Sequence, residues 1–424
     1  MVAGDGGGGS SISAGSTRYM SLGGVLTLQG TEAGAQVLMR DSYTSANLQV
    51  LVLTNTLSGA CTIRMRKNSG NGNQVISLSA GQTGLAEDSV NTDSVVDGDL
   101  LAISIVTAAG TGAIVFVVIA STLATASNTT PILVASKPDA YAQAQGATNY
   151  HSIVGGINGS TTETAAQYTF RAASTLSNLR VYITSNNTDN ASTFQTRINV
   201  GNGAQTLSIA ANTTGAFEDT VNTDSVVAGD EVCYVLVAGA GAGGDTIRPS
   251  VMQMKSNSAG QQVGVGTPAG VAQNSALTRF VAIGGDPDVN ATEANVQIQA
   301  NFSFTAKNFF VNVRANSLNG NTTFTNRKDT DAGGMSITVS ATTTGLFEDT
   351  ANTTAYVAAS LINHSIVTAG SSGSITWDLI GFELAQPSGG WANIAKVNGV
   401  ASANIAKVLG VAQASIAKVN GVAV

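Results

Sequence analysis

One short pattern, Thr-Gly-x-x-Glu-Asp, recurs at an almost fixed interval and constrains this chain more than any other feature. It occurs as Thr83-Gly84-Leu85-Ala86-Glu87-Asp88, Thr214-Gly215-Ala216-Phe217-Glu218-Asp219 and Thr344-Gly345-Leu346-Phe347-Glu348-Asp349, at offsets of 131 and 130 residues. The same offsets relate Tyr19, Tyr150 and Phe280, Thr31-Glu32, Thr162-Glu163 and Thr292-Glu293, and Leu48-Gln49-Val50 with its two counterparts. An offset shared by so many markers means duplicated domains with almost no insertions, and 424 residues leave room for three such units with a core each.

Within the first copy, apolar or β-branched runs follow one another between Gly, Asn, Ser and Asp: Leu48–Leu53, Thr62–Arg66, Val75–Leu78, Leu100–Val106 and Ile114–Ile119. Weaker strands at Arg18–Leu22, Gln36–Met39 and Leu85–Val90 bring the count to about eight. The expected fold is all-β: three tandem β-sandwich domains of jelly-roll type, with an immunoglobulin-like sandwich as the alternative at seven strands. The expected organisation is a Gly-rich segment 1–16, copies at 17–122, 148–254 and 278–386, linkers at 123–147 and 255–277, and a tail at 387–424. Ile63, Phe194 and Phe324 share one slot and are expected in the cores. Arg66, Arg197 and Arg327 lie three residues further on, on the opposite face of the strand, and 21 residues before Glu87, Glu218 and Glu348. The equal spacing predicts an Arg–Glu pair in every copy, pinning that strand to the Thr-Gly-x-x-Glu-Asp turn.

Charged residues are only 11% of the chain, the net charge is −7 and the pI is near 4.8. An acidic chain with no basic cluster beyond Arg64-Met65-Arg66-Lys67 is not expected to bind nucleic acid. The longest apolar run, Ala113–Ala120, is far short of the ~20 residues of a membrane helix, so a buried strand and no membrane insertion are expected. Met1–Tyr19 contains the run Gly6–Gly9 and no continuous apolar stretch of the secretory-signal kind. Cys61 and Cys233 occupy non-equivalent positions and read as buried thiols.

Three constellations invite a chemical reading, and comparison of the copies weakens each. Glu87, Asp88, Asp93, Asp97 and Asp99, repeated as Glu218, Asp219, Asp224 and Asp230, could supply calcium oxygens, but the third copy has Thr354 and Ser360 where two of the acids should be. Turn and capping roles are expected instead. Gly239–Asp245 is like a phosphate loop but lacks the Gly-Lys-Ser/Thr ending, and its equivalents Ala108–Gly112 and Ala369–Gly373 are ordinary loops. The two histidines, His151 and His364, are non-equivalent and expected to be structural. No catalytic residue, cofactor or metal is expected, and the chain is read as not an enzyme.

The tail differs in kind. Ile394-Ala395-Lys396-Val397-Asn398-Gly399-Val400, Ile405-Ala406-Lys407-Val408-Leu409-Gly410-Val411 and Ile416-Ala417-Lys418-Val419-Asn420-Gly421-Val422 repeat every 11 residues. Eleven suits a right-handed helical supercoil, but Gly, Asn and β-branched residues favour strand, tight turn, strand. Such a unit cannot bury its Ile/Val face alone, so Ile394, Val397, Val400, Ile405, Val408, Val411, Ile416, Val419 and Val422 are expected to serve assembly or anchoring.

These tail repeats, the Gly-rich start and the Thr/Asn/Ala-rich β domains resemble structural proteins of tailed bacteriophages. The resemblance implies a virion component made in the bacterial host cytoplasm: a capsid decoration, a head or tail fibre, or a tail appendage. Its implied partners are other virion structural proteins and further copies of itself, a trimer among the options, with a host-surface glycan or protein as a further one. Three copies in one chain could also form a pseudo-trimer by themselves. A bacterial surface adhesin and a capsule polysaccharide-degrading enzyme are the alternative readings.

Overall fold

The computed structural model describes residues 2–4, 10–25, 28–124, 132–137, 141–241, 243–258, 261–284 and 289–385, together with six two-residue strands of the tail. Copy 1 contains β1 (Val2–Gly4), β2 (Ser10–Ser13), β3 (Thr17–Met20), β4 (Gly24–Val25), β5 (Val37–Leu38), β6 (Tyr43–Asn55), β7 (Cys61–Lys67), β8 (Gly70–Leu78), β9 (Gly84–Val95), β10 (Leu100–Thr107) and β11 (Ala113–Ala124). Copy 2 contains β12 (Ile132–Ser136), β13 (Gln143–Ala144), β14 (Thr148–His151), β15 (Tyr168–Thr169), β16 (Ser174–Asn186), β17 (Ser192–Ile198), β18 (Gly201–Ile209), β19 (Gly215–Val226), β20 (Glu231–Val237) and β21 (Thr246–Ser258). Copy 3 contains β22 (Gln261–Asn274), β23 (Thr278–Val281), β24 (Ile298–Gln299), β25 (Phe304–Asn316), β26 (Thr322–Lys328), β27 (Asp331–Val339), β28 (Gly345–Tyr356), β29 (Leu361–Thr368) and β30 (Ser374–Ala385). The only helical turns among the described residues are three short 3-10 turns, beginning at Glu32, Glu163 and Glu293.

Strand order makes each copy a jelly roll. In copy 1 one sheet runs β1-β11-β6-β9, with β2 also on β11, and the other runs β3-β10-β7-β8. Copies 2 and 3 repeat the order as β12-β21-β16-β19 with β14-β20-β17-β18, and β22-β30-β25-β28 with β23-β29-β26-β27. With the eight main strands counted along the chain, the sheets read first-eighth-third-sixth and second-seventh-fourth-fifth. Successive strands therefore cross between the sheets, save for the β7–β8 hairpin and its counterparts. That interleaving defines the jelly roll and differs from the immunoglobulin order.

The sequence explains the local geometry. Alternation in β7 sends Cys61, Ile63 and Met65 into the core and Thr62, Arg64 and Arg66 outward. Ile63, Phe194 and Phe324 are fully buried as expected. Asn68-Ser69, Asn199-Val200 and Asp329-Thr330 all have positive φ, which gives the tight hairpin between the fourth and fifth strands. Asn47, Asn178 and Asn308, with φ of 52, 57 and 52°, each sit at a register shift in the third strand.

The stretches expected as linkers carry structure. β12 and β13 lie within 123–147 and β22 within 255–277, and each supplies the first strand of the copy that follows, as β1 and β2 do within 1–16. β21 also continues past residue 254. β12 is a short apolar run, Ile132–Ser136, and β22 mixes Val with Gly, Ala and Gln; both pair on the last strand of the roll. Pro268 falls in the register shift of β22 between Gly266 and Val271, where no ladder hydrogen bond is lost.

His151 and His364 are buried in copies 2 and 3, and desolvation lowers each imidazole to a pKa of about 3. Both are neutral in the fold but take up a proton when unfolded below pH ~6.5. The folded state thus binds fewer protons, and stability falls as pH drops from ~6.5 towards 3, by roughly 1 kcal/mol per pH unit for each histidine. Met20 and Tyr234 stand at the equivalent positions in other copies. The double variant His151→Met/His364→Tyr is expected to show a visibly shallower loss between pH 6.5 and 4 in urea denaturation than the parent.

Candidate functional site

The largest constructed feature is the set of surfaces through which the three copies meet. Between the second and third strands of every roll lies a short projecting segment: a 3-10 turn, a two-residue strand and a polar residue. In copy 1 it is Glu32–Ala35, β5 and Arg40; in copy 2, Glu163–Ala165, β15 and Arg171; in copy 3, Glu293–Asn295, β24 and Asn301. Each projection reaches the outer face of the first-eighth-third-sixth sheet of the next copy.

From copy 1 to copy 2, the Gln253 side-chain amide pairs with both backbone groups of Leu38, accepting from its N–H at 3.0 Å and donating to its carbonyl at 2.8 Å. Lys255 donates to the Arg40 carbonyl at 3.2 Å, and Arg40 forms an ion pair with Glu218. Buried Arg180 donates to Gln253 at 3.0 Å; desolvation, with the like charge of Arg40 added, lowers its guanidinium to about 10. From copy 2 to copy 3, Arg171 pairs with Glu348 and lies 4.4 Å over the Phe310 ring, which Tyr168 meets edge-on at 5.7 Å. From copy 3 back to copy 1, Asn301 donates to Thr122 Oγ1 at 2.8 Å and is bonded to Gln49, whose amide donates to Glu87 at 3.2 Å.

The three contacts use equivalent positions: Arg40, Arg171 and Asn301 on the projection, and Gln49, Arg180 and Phe310 on the receiving face. Copy 1 docks on 2, copy 2 on 3 and copy 3 on 1. A head-to-face contact repeated with closure is a ring, and here one polypeptide closes it. The apolar part follows the same rule. Val251 of copy 2 belongs to the core cluster of copy 1, Leu379 of copy 3 to that of copy 2, and Leu51, Val117 and Val118 of copy 1 to that of copy 3. The uninterrupted run Ala113–Ala120 thereby finds its reason: β11 is buried on one side by its own sandwich and on the other by a neighbouring copy.

The expected Arg–Glu pairs are corrected. Arg66 pairs with Glu32 at 3.0 Å, Arg197 with Glu163 at 2.8 Å and Arg327 with Glu293 at 2.8 Å. Glu87, Glu218 and Glu348 lie instead on β9, β19 and β28, in the opposite sheet of each sandwich and at the ring contacts. The fourth strand, which carries each arginine, cannot present it across the core to the sixth. The true partners are the glutamates of the repeated Thr-Glu dipeptides, which recur at the same offsets.

The acidic residues act on backbone amides. Asp88 accepts from the N–H groups of Val75, Val90 and Asn91, and Asp219 and Asp349 repeat this. These bonds hold all three carboxyls below their ordinary range against the opposing effect of burial. Asp93 and Asp224 bind the buried amides of Gln74 and Gln205. Copy 3 replaces both partners at once, with Met335 and Thr354, so the buried Asp–Gln bond is absent there. No group of three or more His, Cys, Asp or Glu arranged for a metal occurs among the described residues. The Gly239–Asp245 stretch connects β20 to β21, and a Cβ on Gly239 would lie 1.9 Å from the Asn190 carbonyl oxygen, so close backbone approach accounts for that glycine. Cys61 and Cys233 are buried free thiols, and burial raises Cys61 to about 12.

In the tail, β31 (Lys396–Val397) pairs with β32 (Val400–Ala401), β33 (Lys407–Val408) with β34 (Val411–Ala412), and β35 (Lys418–Val419) with β36 (Val422–Ala423). Val397, Val400, Val408, Val411, Val419 and Val422 are thus strand residues of three small hairpins, whereas Ile394, Ile405 and Ile416 lie outside the described residues.

No protein-family model and no curated protein matches the chain. Solved structures similar to it include a chain of the Sulfolobus Turreted Icosahedral Virus, 13% identical over 88% of this chain and 91% of that one, with a TM-score of 0.19. Another belongs to the Gx strain of infectious bursal disease virus, 8% identical over 91% of this chain and 82% of that one, with a TM-score of 0.21. A third, from an archaeal virus structure described by its triple jelly roll fold and turret assembly, is 13% identical over 88% and 91%, with a TM-score of 0.17.

The contact between copies 2 and 3 can be tested by a double-mutant cycle. Arg171→Met is expected to cost about 1–3 kcal/mol in chemical denaturation, because it leaves Glu348 without its partner at a partly dry contact. Combination with Glu348→Gln should recover about 1 kcal/mol or more of coupling, whereas strict additivity would mean that the pair does not exist in solution.

Proposed function

We propose that this chain is a non-enzymatic structural component of a virion, of the tailed-bacteriophage kind, that supplies a ready-made three-lobed unit from one polypeptide. The observation that carries this reading is the closed ring: three jelly rolls joined by equivalent contacts, with copy 3 bonded back to copy 1 through Asn301 and Gln49. A chain that closes its own ring delivers three-fold geometry at a fixed stoichiometry, a property suited to decorating a lattice or building an appendage. The weakly charged surface, with 11% charged residues, suits dense packing without long-range repulsion.

On this reading the tail at 387–424 joins the ring to other virion proteins or to further copies of itself. Isolated two-stranded hairpins are marginal in water, so strands of two residues each gain their stability from a partner surface. Capsid decoration, head or tail fibre and tail appendage all use such an anchor.

Particles purified from a lysate of cells that carry the gene provide the test. The protein is expected to co-sediment with the particles at a fixed copy number and to be located on them by antibody labelling. Recovery solely from the bacterial envelope would favour a surface adhesin, and release of reducing sugar from host capsule by the purified protein would favour an enzyme. A variant lacking residues 387–424 is expected to fold and to melt within a few degrees of the full chain, yet to fail to incorporate; normal incorporation would remove the anchoring role.

A further inference from the structure

The ring leaves the outer face of the second-seventh-fourth-fifth sheet of each copy uncovered, and in copy 1 this face contains an open cleft of about 270 Å³ lined by Thr17, Tyr19, Thr62, Arg64, Arg66, Asn71, Ser104 and Val106. Its form follows from register. Ser104 of β10 stands directly between Tyr19 of β3 and Arg64 of β7, and Val106 stands between Thr17 and Thr62 in the adjoining row. Core residues Met20, Ile63, Met65, Ile103 and Ile105 alternate with them, so all the cleft residues share the outward face. The small Ser104 is the floor; the tyrosine and the arginine are the walls.

The charges are unequal. Arg66 is neutralised by Glu32 at 3.0 Å. Arg64 donates to the Gly72 carbonyl at 3.2 Å and, among the described residues, has no carboxylate within ion-pair distance. The other copies do not reproduce this set. Copy 2 has Tyr150, Val235 and Gln195 across the same row, which fills the floor and removes the cation. Copy 3 has Phe280, Ser365 and Thr325, which removes both the phenol and the cation. Duplication gave the three faces one template, and only copy 1 combines an aromatic ring, a recessed hydroxyl floor and an uncompensated guanidinium.

We propose that this face of copy 1 binds an acidic saccharide, with Arg64 pairing to a carboxylate or sulfate and Tyr19 against the sugar. A shallow cleft rimmed by Thr17, Thr62, Asn71 and Ser104 matches a ligand whose surface is mostly hydroxyl, and the tyrosine offers the apolar C–H face of a pyranose a flat partner. The guanidinium fork supplies the bidentate contact that an anionic substituent requires. A peptide would instead need a free strand edge or a deep apolar pocket; β10 and β7 are interior strands, and the outer strand β3 is already bridged at Tyr19 by Gln29. The site lies outside the ring contacts, so it goes beyond the structural role and can fail without affecting it.

The test uses the full chain on an array of uronic-acid, sialylated and sulfated oligosaccharides beside their neutral counterparts, followed by calorimetry on the best binder. Arg64→Gln installs the residue of copy 2 and Ser104→Val fills the floor as copy 2 does, so both variants should fold and melt like the parent. The expected result is preference for acidic over neutral sugars, about tenfold weaker binding for Arg64→Gln and loss of binding for Ser104→Val, with affinity falling as salt is raised. Equal affinity of parent and Arg64→Gln, or no binding to any acidic sugar at millimolar concentration, would overturn the proposal. Either outcome leaves the ring and the particle association to be judged by their own experiments.

Discussion

The last strand of the first jelly roll, β11, has two apolar faces and only one sandwich to put them in. In β11 Ile114 and the unbroken run Phe116 to Ala120 are buried, yet a strand in a two-layer sandwich buries alternate residues against its own core. The remaining face has to be covered from outside the domain, and a neighbouring copy provides the cover. Val118, Val251 and Leu379 stand at one position of that strand in the three copies, and each reaches the core cluster of the copy before it around the ring. Burying side chains of this size contributes roughly 1.5–3 kcal/mol apiece. The polar contacts around them set register and direction more than they add stability.

That division of labour explains why the polar chemistry of the interfaces varies while the architecture does not. One contact uses an ion pair and a glutamine that mimics a strand edge, the next sets an arginine over a phenylalanine, and the third uses an amide network between Asn301, Gln49 and Glu87. Identical subunits would have to make one contact serve three times. A duplicated chain is free of that requirement, and divergence of the contacts gives each copy a single correct neighbour. The same freedom operates on the outer sheets, where one template has become three different surfaces.

Much of the fold could be read from the sequence because burial inside each sandwich imposes alternation and the turns need particular residues. The strong strands, the fully buried Ile63, Phe194 and Phe324, and the capping roles of the repeated acids were all legible. The first strands of copies 2 and 3 were not, since Ile132–Ser136 is short and flanked by Pro131 and Pro138, and Gly, Ala and Gln dilute the valines of β22, so both read as linkers. The Arg66–Glu87 expectation failed for a different reason. In duplicated domains any two residues keep the same spacing in every copy, so equal spacing records descent and carries no information about contact. The recurring Thr31-Glu32 had the same standing, and only the sheet to which each strand belongs decides between the two glutamates. The ring was legible in part: three copies in one chain allowed a pseudo-trimer, but Arg40, Arg171 and Asn301 differ too much to mark where the copies meet, and the apolar run Ala113–Ala120 read only as a buried strand.

Ring closure is the claim on which the rest stands, and proximity of residues 49 and 301 measures it directly. Cys61 and Cys233 are buried inside their own sandwiches, whereas thiols placed by Gln49→Cys and Asn301→Cys would face each other across the contact between copies 1 and 3. With a short thiol-specific cross-linker at high dilution, mass spectrometry is expected to find an intramolecular link between positions 49 and 301 in monomeric protein. A link found only between separate chains, or none under conditions where both thiols are modified, would contradict the closed ring.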